Sequence, residues 1–251
     1  MPQSTRARSA ARAAVFAPLD GAGRAEVVER RLSDAILLGL LAPGERLPSE
    51  ADLSRQFNVA TVTAREALES LRGRGLVQTR RGRGGGSFVR SKSDAHLEVI
   101  EERVRGISRV ELRDLGVHFA ALAAMSAELA AERASGDDVE GLERLVASFA
   151  RDTDGAARRA ENTFRLEVAA LSQSARLVRE LLRLQAEFGP VLWLNLRDQR
   201  YRDRSAERQA AVVTAIAAAD PAAARRATLE HIDEAVECLV DAKAELEARS
   251  P

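Results

Sequence analysis

The stretch LPSEADLSRQFNVATVTAREAL, residues 47–68, decides the expected fold of the N-terminal region. Pro48 and Ser49 precede the acidic residues Glu50 and Asp52, a pattern typical of a helix N-terminus. Asn58 breaks this helix. Thr61 is then a candidate cap for a following helix that runs through VTAREALESLRGRG and ends at one of its last two glycines. The stretch therefore predicts two short helices joined by a tight turn.

The flanking sequence completes a larger motif. Upstream, residues 23–47 carry apolar side chains at helical spacing and predict a helix that ends before the run APG. Downstream, the hydrophobic period changes from helical to alternating, with the β-prone runs LVQT and SFV on either side of RRGRGGG. The glycines of that run allow the backbone angles of a hairpin turn. Three helices followed by a basic hairpin predict a winged helix-turn-helix.

The charge of the chain is unevenly distributed. The chain has 251 residues, which is room for two modest domains, and its formal net charge is zero. Residues 1–95 hold 16 Lys and Arg against 10 Asp and Glu, and the other residues hold 22 against 28. A basic N-terminal part and an acidic C-terminal part suggest a polyanion-binding module joined to a module of another kind.

Several classes of protein are disfavoured by composition. The chain has no run of 18 or more apolar residues and no apolar core of a secretory signal, so we expect a cytoplasmic protein without a membrane span. Cys238 is the single cysteine, which excludes an intramolecular disulfide and a multi-cysteine zinc site. We find no pair of nucleophile and base and no cofactor loop, so the sequence does not indicate an enzyme.

The second half of the chain contains helical patterns and no convincing strand. We predict helices over residues 94–105, 109–134, 137–151, 155–173, 175–188, 191–219 with a break near Arg202, and 221–248. The expected fold is mostly α, with a small β-hairpin in the first domain and an all-α antiparallel helical bundle in the second. The expected domains are a flexible basic arm over 1–22, a winged helix-turn-helix over 23–92, and a helical effector-binding and dimerisation domain over 93–251.

The N-terminal motif resembles the GntR family of bacterial transcription regulators. The matching features are G-x-x-x-P-G-x-x-LPSE, V-x-x-x-x-x-REAL and L-x-x-x-GLV-x-x-R-x-G-x-G, which together cover about 55 residues. The remainder is similar to the FadR subgroup, whose effector-binding domain is a helical bundle known as the FCD domain. The stretches carrying this second resemblance are SAELAAERASGDDVEGLERL, ENTFRLEVAALSQSARL and AAVVTAIAAADPAAARRATLEHI.

The resemblance implies that the third helix enters the DNA major groove and that the hairpin wing approaches the minor groove. Three arginines usually contact DNA in the family. Here the first position is Ala51 and the second is Thr61, and only Arg65 is retained. Because arginine can bind guanine bidentately and threonine cannot, we expect an altered operator. The predicted DNA-binding residues are Arg65, Thr61, Thr63, Arg72, Arg74, Arg80, Arg81 and Arg83.

In many FadR-subgroup proteins an Asp and three His hold a divalent metal that binds a carboxylate effector. The corresponding positions in this chain are Glu161, Arg165, Gln209 and His231. A guanidinium has no lone pair to donate and stays protonated, so we expect no metal cofactor. Two alternatives remain open. Either Arg165 binds a carboxylate or phosphate effector directly, with Gln209 and His231 as partners, or Glu161 and Arg165 only pair with each other.

The resemblance implies a regulator that binds a double-stranded DNA operator as a homodimer, acts as a repressor and responds to a small anionic metabolite. The alternative is a constitutive or architectural DNA-binding dimer whose helical domain no longer binds an effector.

Overall fold

The structure, a computed structural model, describes residues 15–16, 25–90, 93–149 and 154–249. The predicted basic arm over 1–22 therefore lies outside the described residues except at two positions. The chain forms two compact units, Met1–Val99 and Ile100–Pro251. This division falls seven residues after the predicted boundary between residues 92 and 93, within a helix that covers Ser93–Gly106.

The first unit contains the predicted winged helix-turn-helix. Its elements are α1 (Ala25–Leu37), α2 (Glu50–Phe57), α3 (Thr61–Gly73), β1 (Val77–Arg80) and β2 (Gly86–Val89). The two strands are antiparallel neighbours. The core of the unit is formed by apolar side chains from all three helices and from the base of the hairpin, among them Val28, Leu32, Ile36, Leu53, Phe57, Leu68, Leu71, Leu76 and Val89.

The turn between α2 and α3 follows the sequence signals in part. Ser49 is the N-cap of α2, and its Oγ accepts a hydrogen bond from the Asp52 backbone N–H at 3.2 Å. Asn58 ends α2 in the left-handed conformation, with a φ of 55°. The predicted cap of α3 is wrong, because Ala60 takes the N-cap position and Thr61 is already helical. Ala60 has no side-chain acceptor, so the first N–H groups of α3 receive no side-chain cap.

The hairpin wing is held by a third segment of chain. Strand β1 pairs with β2 from Val77 opposite Val89 to Arg80 opposite Gly86. On the other side of β2, the Leu47 N–H donates to the Ser87 carbonyl at 2.8 Å. The turn requires glycine at Gly85, where a Cβ atom would lie 2.5 Å from the Arg80 carbonyl oxygen. These contacts fix the wing to the segment that precedes α2.

The second unit is all-helical over its described residues. Its helices are α4 (Ser93–Gly106), which begins in the first unit, α5 (Arg109–Arg133), α6 (Gly136–Phe149), α7 (Asp154–Leu171), α8 (Ala175–Leu192), a 3-10 helix (Trp193–Arg197), α9 (Gln199–Ala217) and α10 (Pro221–Ala248). None of the described helices combines the length and the apolar character that a membrane span requires.

Two predicted helices have different boundaries. The helix expected over 175–188 continues as α8 to Leu192, with Pro190 inside it. We expected a helix over 191–219 with a break near Arg202, but the break lies between Trp193 and Asp198 and Arg202 is within α9. The cause is Asp198, which has an extended backbone and whose side chain accepts a hydrogen bond from the Arg200 backbone N–H at 2.9 Å. A side-chain cap of this kind starts a new helix at that residue.

Close packing between α5 and α10 organises the bundle. The buried face of α5 consists largely of small residues, and Gly116 is the smallest of them. A Cβ atom at Gly116 would lie 2.6 Å from Cγ2 of Val236 on α10. The absence of a side chain at residue 116 therefore allows the two helices to approach each other.

We expect Gly116→Ala to lower the free energy of unfolding by about 1–3 kcal/mol, because overpacking against the stiff Val236 side chain exceeds the gain in helix propensity. Gly141→Ala is the matched control, since the nearest atom to a Cβ there is Nη2 of Arg144 at 3.9 Å. That change is expected to stabilise the protein by up to about 1 kcal/mol. Urea unfolding of both variants measures the difference. A change of the same sign in the unfolding free energy of both variants would contradict the packing argument.

Candidate DNA-binding surface and ligand cavity

The exposed face of α3 is polar apart from Val62, and Arg65 is its most exposed basic residue. Arg65 lies on this face with its side chain 58% exposed, and Thr61, Glu66 and Glu69 are also exposed. The face opposite is buried through Ala64, Ala67, Leu68 and Leu71. The helix therefore presents one well-exposed guanidinium among carboxylates, hydroxyls and methyl groups.

Arg65 is oriented by a neighbouring helix. Its Nε donates to Oε2 of Glu50, in the first turn of α2, at 3.0 Å. This hydrogen bond raises the pKa of the Arg65 guanidinium, which is charged in any case. Glu50 contacts Nε, and within the described residues the terminal nitrogens, which can bind guanine in a bidentate contact, make no hydrogen bond.

The wing carries most of the basic charge of the surface. Arg80, Arg81 and Arg83 are exposed on the hairpin, and the Arg80 guanidinium lies 4.5 Å from the centre of the Phe88 ring. Arg46 is also exposed, and its Nε would lie 3.0 Å from a Cβ atom at Gly86. The sequence does not indicate Arg46 as a DNA-binding residue, because this residue, in the segment before α2, becomes adjacent to the wing only in the folded unit.

Two predicted DNA-binding arginines have other partners. Arg74 Nη1 lies 2.9 Å from Oε1 of Glu29 on α1, and both side chains are mostly buried. Arg72 Nη2 lies 3.9 Å from Oε1 of Glu69. The structure therefore places Arg74 in a contact that ties the end of α3 to α1, while Thr63 is half-buried beside the exposed face.

The predicted effector residues lie together in the bundle. Nη2 of Arg165 is 2.6 Å from Oε1 of Glu161, and both side chains are more than nine-tenths buried. The Gln209 side-chain amide donates to Oε2 of Glu161, and Nε2 of His231 lies 3.5 Å from Oε1. Glu161 is thus the centre of a cluster drawn from α7, α9 and α10.

Ser205 belongs to this cluster and was missed from the sequence. Its hydroxyl donates to Oε2 of Glu161 at 3.2 Å and lies 3.0 Å from Nε2 of His231. A carboxylate oxygen only accepts, so the hydroxyl proton of Ser205 serves the contact with Glu161, and a proton on Nε2 of His231 would complete the contact between His231 and Ser205. Ser205 precedes Gln209 by one helical turn on α9, and this spacing was the available signal.

A small cavity adjoins the cluster. Its walls are mostly apolar, and the space open to the centre of a water molecule is about 30 Å³, enough for roughly two waters. Its lining residues are Phe119, Ala123, Ser126, Phe164, Arg165, Val168, Leu181, Val212, Thr228, His231 and Ile232.

Polar atoms at the cavity lack partners. Nε of Arg165 and Oγ1 of Thr228 are buried and make no hydrogen bond within the described part of the chain. Oε1 of Glu161 also has no aligned donor, so its contact with Arg165 is an ion pair and not a directed hydrogen bond. Unpaired buried donors and acceptors are costly, which makes this cavity the candidate ligand site.

Comparison with known proteins places both units in one family. Residues 24–86 match the gntR family of bacterial regulatory proteins, and residues 114–234 match the FCD domain. A Mycobacterium gastri protein named HTH-type transcriptional regulator RmpR is 38% identical over 232 residues, covering 91% of this chain and 85% of the relative. The chain belongs to the gntR family. It is a transcription regulator with an FCD domain and not an enzyme.

Two more distant similarities also cover most of the chain. An Escherichia coli protein named L-lactate dehydrogenase operon regulatory protein is 28% identical over 228 residues, covering 82% of this chain and 85% of the relative. The solved structure of E. coli McbR/YncC has a TM-score of 0.54 and 18% identity, covering 88% of this chain and 99% of the other. This last likeness supports the fold alone.

The cluster does not suit the divalent metal that the FCD resemblance implies. Arg165 directs a guanidinium at Glu161, where a cation would have to bind, and Gln209 offers its amide N–H to the same carboxylate. Among the described residues no group of three or more His, Cys, Asp and Glu side chains is arranged to hold a metal ion. The donor set of this gntR-family member is therefore not that of a metal site.

The pH dependence of stability tests the neutral state of His231. Burial lowers the pKa of His231 to about 4, whereas an unfolded histidine titrates near 6.5. Above about pH 6.5 both states are unprotonated and the stability is fully present. As the pH falls from about 6.5 to 4 the unfolded chain binds the proton first, so stability should fall by up to about 1.4 kcal/mol per pH unit.

Urea unfolding between pH 4.5 and 7.5 measures this slope, and His231→Gln is the control because glutamine does not titrate. The variant should lose most of the slope in this window. The carboxyl groups with lowered pKa, Glu234 and Glu247 among them, titrate at lower pH in both proteins. An unchanged slope in the variant would show that His231 is charged in the folded state.

Proposed function

We propose that this protein is a cytoplasmic repressor that binds operator DNA as a homodimer and is released when a small carboxylate or phosphate binds the cavity of its FCD domain. The observation that carries the ligand part is the buried Arg165, whose Nε is unpaired and whose ion pair with Glu161 is unaligned. The DNA part follows from the family and from the surface of α3 and the wing.

The DNA-binding surface separates candidate base contacts from candidate phosphate contacts, and this separation supports an altered operator. Arg65, Thr61 and Thr63 are the candidates for contact with bases on α3. Arg80, Arg81 and Arg83, together with Arg46, are the candidates for contact with phosphates, since they are exposed on or beside the wing. Phosphate contacts give affinity without sequence information, so specificity depends on the few groups of α3. Arg74 keeps its structural contact with Glu29 and is not among the proposed DNA contacts.

Two exposed valines, with the charged residues Arg113 and Asp114 between them, support the homodimer. Val110 and Val117 on α5 are 79% and 69% exposed and lie two helical turns apart on one side of the helix. Isologous pairing of this face with a second copy would remove both side chains from water. Sedimentation analysis of the wild type and of Val117→Glu tests the assignment. We expect a dimer that the charge weakens, and an unaffected dimer would place the interface elsewhere.

The ligand would act by pairing with Arg165 and so breaking the ion pair between Arg165 and Glu161. Glu161 would keep hydrogen bonds from Ser205 and Gln209, so its carboxylate would not be left without partners. One relative is named for an L-lactate dehydrogenase operon, and lactate is a small carboxylate of this class. Moving Arg165 on α7 would then alter the packing of the helices that line the cavity, and a change of this kind can shift the population of DNA-binding states.

A second function is favoured by the size of the cavity. Space for roughly two waters, with Arg165 already paired, also suits a constitutive DNA-binding dimer whose FCD domain has a purely structural role. The two functions differ in one observable, the response of the protein–DNA complex to anions.

The deciding experiment has two steps. The purified protein first selects its binding sequence from random DNA at physiological salt. The complex is then titrated with L-lactate, other small mono- and dicarboxylates and sugar phosphates, in parallel for wild type, Arg165→Met and Glu161→Gln. Removing the negative charge of Glu161 frees Arg165, so Glu161→Gln should bind the active anion more tightly and Arg165→Met should not respond.

The outcomes separate the proposals. Enrichment of a sequence and its release by an anion through Arg165 support the ligand-responsive repressor. Enrichment without a response to any anion in any of the three proteins supports the constitutive alternative. Absence of enrichment contradicts sequence-specific DNA binding by this surface.

A further inference from the structure

Val62 is an exposed apolar side chain on the helix that carries Arg65. Its exposure is 57%, and it is the one large apolar side chain of α3 that lies in solvent. The buried contacts of α3 are made by Ala64, Ala67, Leu68 and Leu71, on the other side of the helix. Val62 therefore contributes little to the core of the unit.

The position of Val62 relates it to the polar groups of the same face. Arg65 and Glu66 follow it by three and four residues, and Glu69 by seven, so the four side chains lie in one row along α3. Val62 is in the first turn, beside the helix N-terminus where Ala60 provides no cap. Among the described residues of the unit, no side chain covers Val62 enough to keep it out of water.

The major groove offers one kind of apolar group along its base edges, the C5 methyl of thymine. We propose that Val62 contacts the C5 methyl group of a thymine in each operator half-site and so determines specificity at that base pair. This inference rests on the proposed function, in which α3 enters the major groove. Val62 would select the base next to the position that Arg65 contacts, because consecutive turns of a helix meet neighbouring base pairs.

The size of the effect follows from the area of one methyl group. Removing a methyl from a buried contact weakens it by about fourfold, since a buried CH₂ or CH₃ group contributes about 0.8 kcal/mol. For a dimer on two half-sites the expected loss is about fifteenfold. Deoxyuridine differs from thymidine by this methyl alone, so it removes the contact without changing the pattern of hydrogen-bond donors and acceptors.

The experiment uses the full chain and the sequence that it selects from random DNA. Each thymine of that sequence is replaced by deoxyuridine, symmetrically in both half-sites, and binding is measured for wild type, Val62→Ala and Val27→Ala. Val27→Ala is the matched control, because Val27 is an exposed valine on α1 of the same unit. Thermal unfolding of both variants verifies that each is as stable as the wild type.

We expect one thymine position at which deoxyuridine weakens binding by the wild type and by Val27→Ala about fifteenfold, and at which Val62→Ala binds both DNAs equally. An equal deoxyuridine penalty in Val62→Ala, or no sensitive thymine, would overturn the assignment of Val62. Failure to select any sequence would instead contradict the proposed DNA-binding function itself, so the two failures are distinguishable.

Discussion

Glu161→Ala is expected to lower the free energy of unfolding by about 3–5 kcal/mol, because it leaves the Arg165 guanidinium buried without its counter-charge. The same change removes the acceptor of the Ser205 hydroxyl and of the Gln209 amide. A buried cation without a partner is far costlier than an exposed one, since water no longer solvates it. The loss should be visible as a large shift of the urea midpoint at unchanged m-value.

An exposed pair provides the matched control for this prediction. Glu180 and Arg183 on α8 also form an ion pair, at 3.1 Å, but both side chains are more than half exposed. Glu180→Ala should therefore cost less than about 1 kcal/mol. Similar losses of unfolding free energy for Glu161→Ala and Glu180→Ala would contradict the claim that burial makes the Glu161–Arg165 pair costly to break.

Removing both charges distinguishes stability from function. Replacing Glu161 with leucine and Arg165 with methionine takes out the whole pair, and such replacements are often neutral or stabilising. The double variant should therefore be more stable than Glu161→Ala while losing any response to anions. That combination would indicate that the pair is retained for binding and not for stability.

The parts of the fold that depend on local signals could be predicted from the sequence. Ser49 caps α2 through Asp52, and the glycine-rich run forms the hairpin turn of the wing. The errors also have local causes. The sequence predicts the cap of α3 at Thr61 because threonine is a good cap, whereas the backbone turns at Ala60. The sequence predicts a helix break near Arg202, whereas the side-chain cap at Asp198 sets the break before that residue.

The cluster around Glu161 could be located only through the resemblance to a family. Its members come from three helices. Neither the hydrophobic period of a helix nor the spacing of its residues predicts which helices pack against each other. The structure brings Glu161, Arg165, Gln209 and His231 together, and it adds Ser205. Their roles in binding a ligand are predictions that the anion titration of the Arg165 and Glu161 variants tests.

Arg65→Ala is expected to weaken operator binding by about 1–3 kcal/mol for each half-site and to relax specificity at the base pair that Arg65 contacts. Arg65 is the most exposed arginine of α3, because Arg72, two turns further along the same side, is only 29% exposed and lies 3.9 Å from Glu69. Glu50 holds its Nε and so presents the terminal nitrogens in a defined direction. Arg65→Lys should recover little of the loss, because an ammonium cannot bind O6 and N7 of guanine as a planar fork.

Arg81→Ala is the control that separates charge from base recognition. Arg81 is exposed on the wing, and loss of one phosphate contact should weaken all DNA sequences about equally and lower the salt slope of binding by about 1. Arg65→Ala should instead remove the preference for the selected sequence over a single-base variant. If Arg65→Ala only lowered the salt slope, Arg65 would be a phosphate contact, and the specificity of α3 would depend on its uncharged groups.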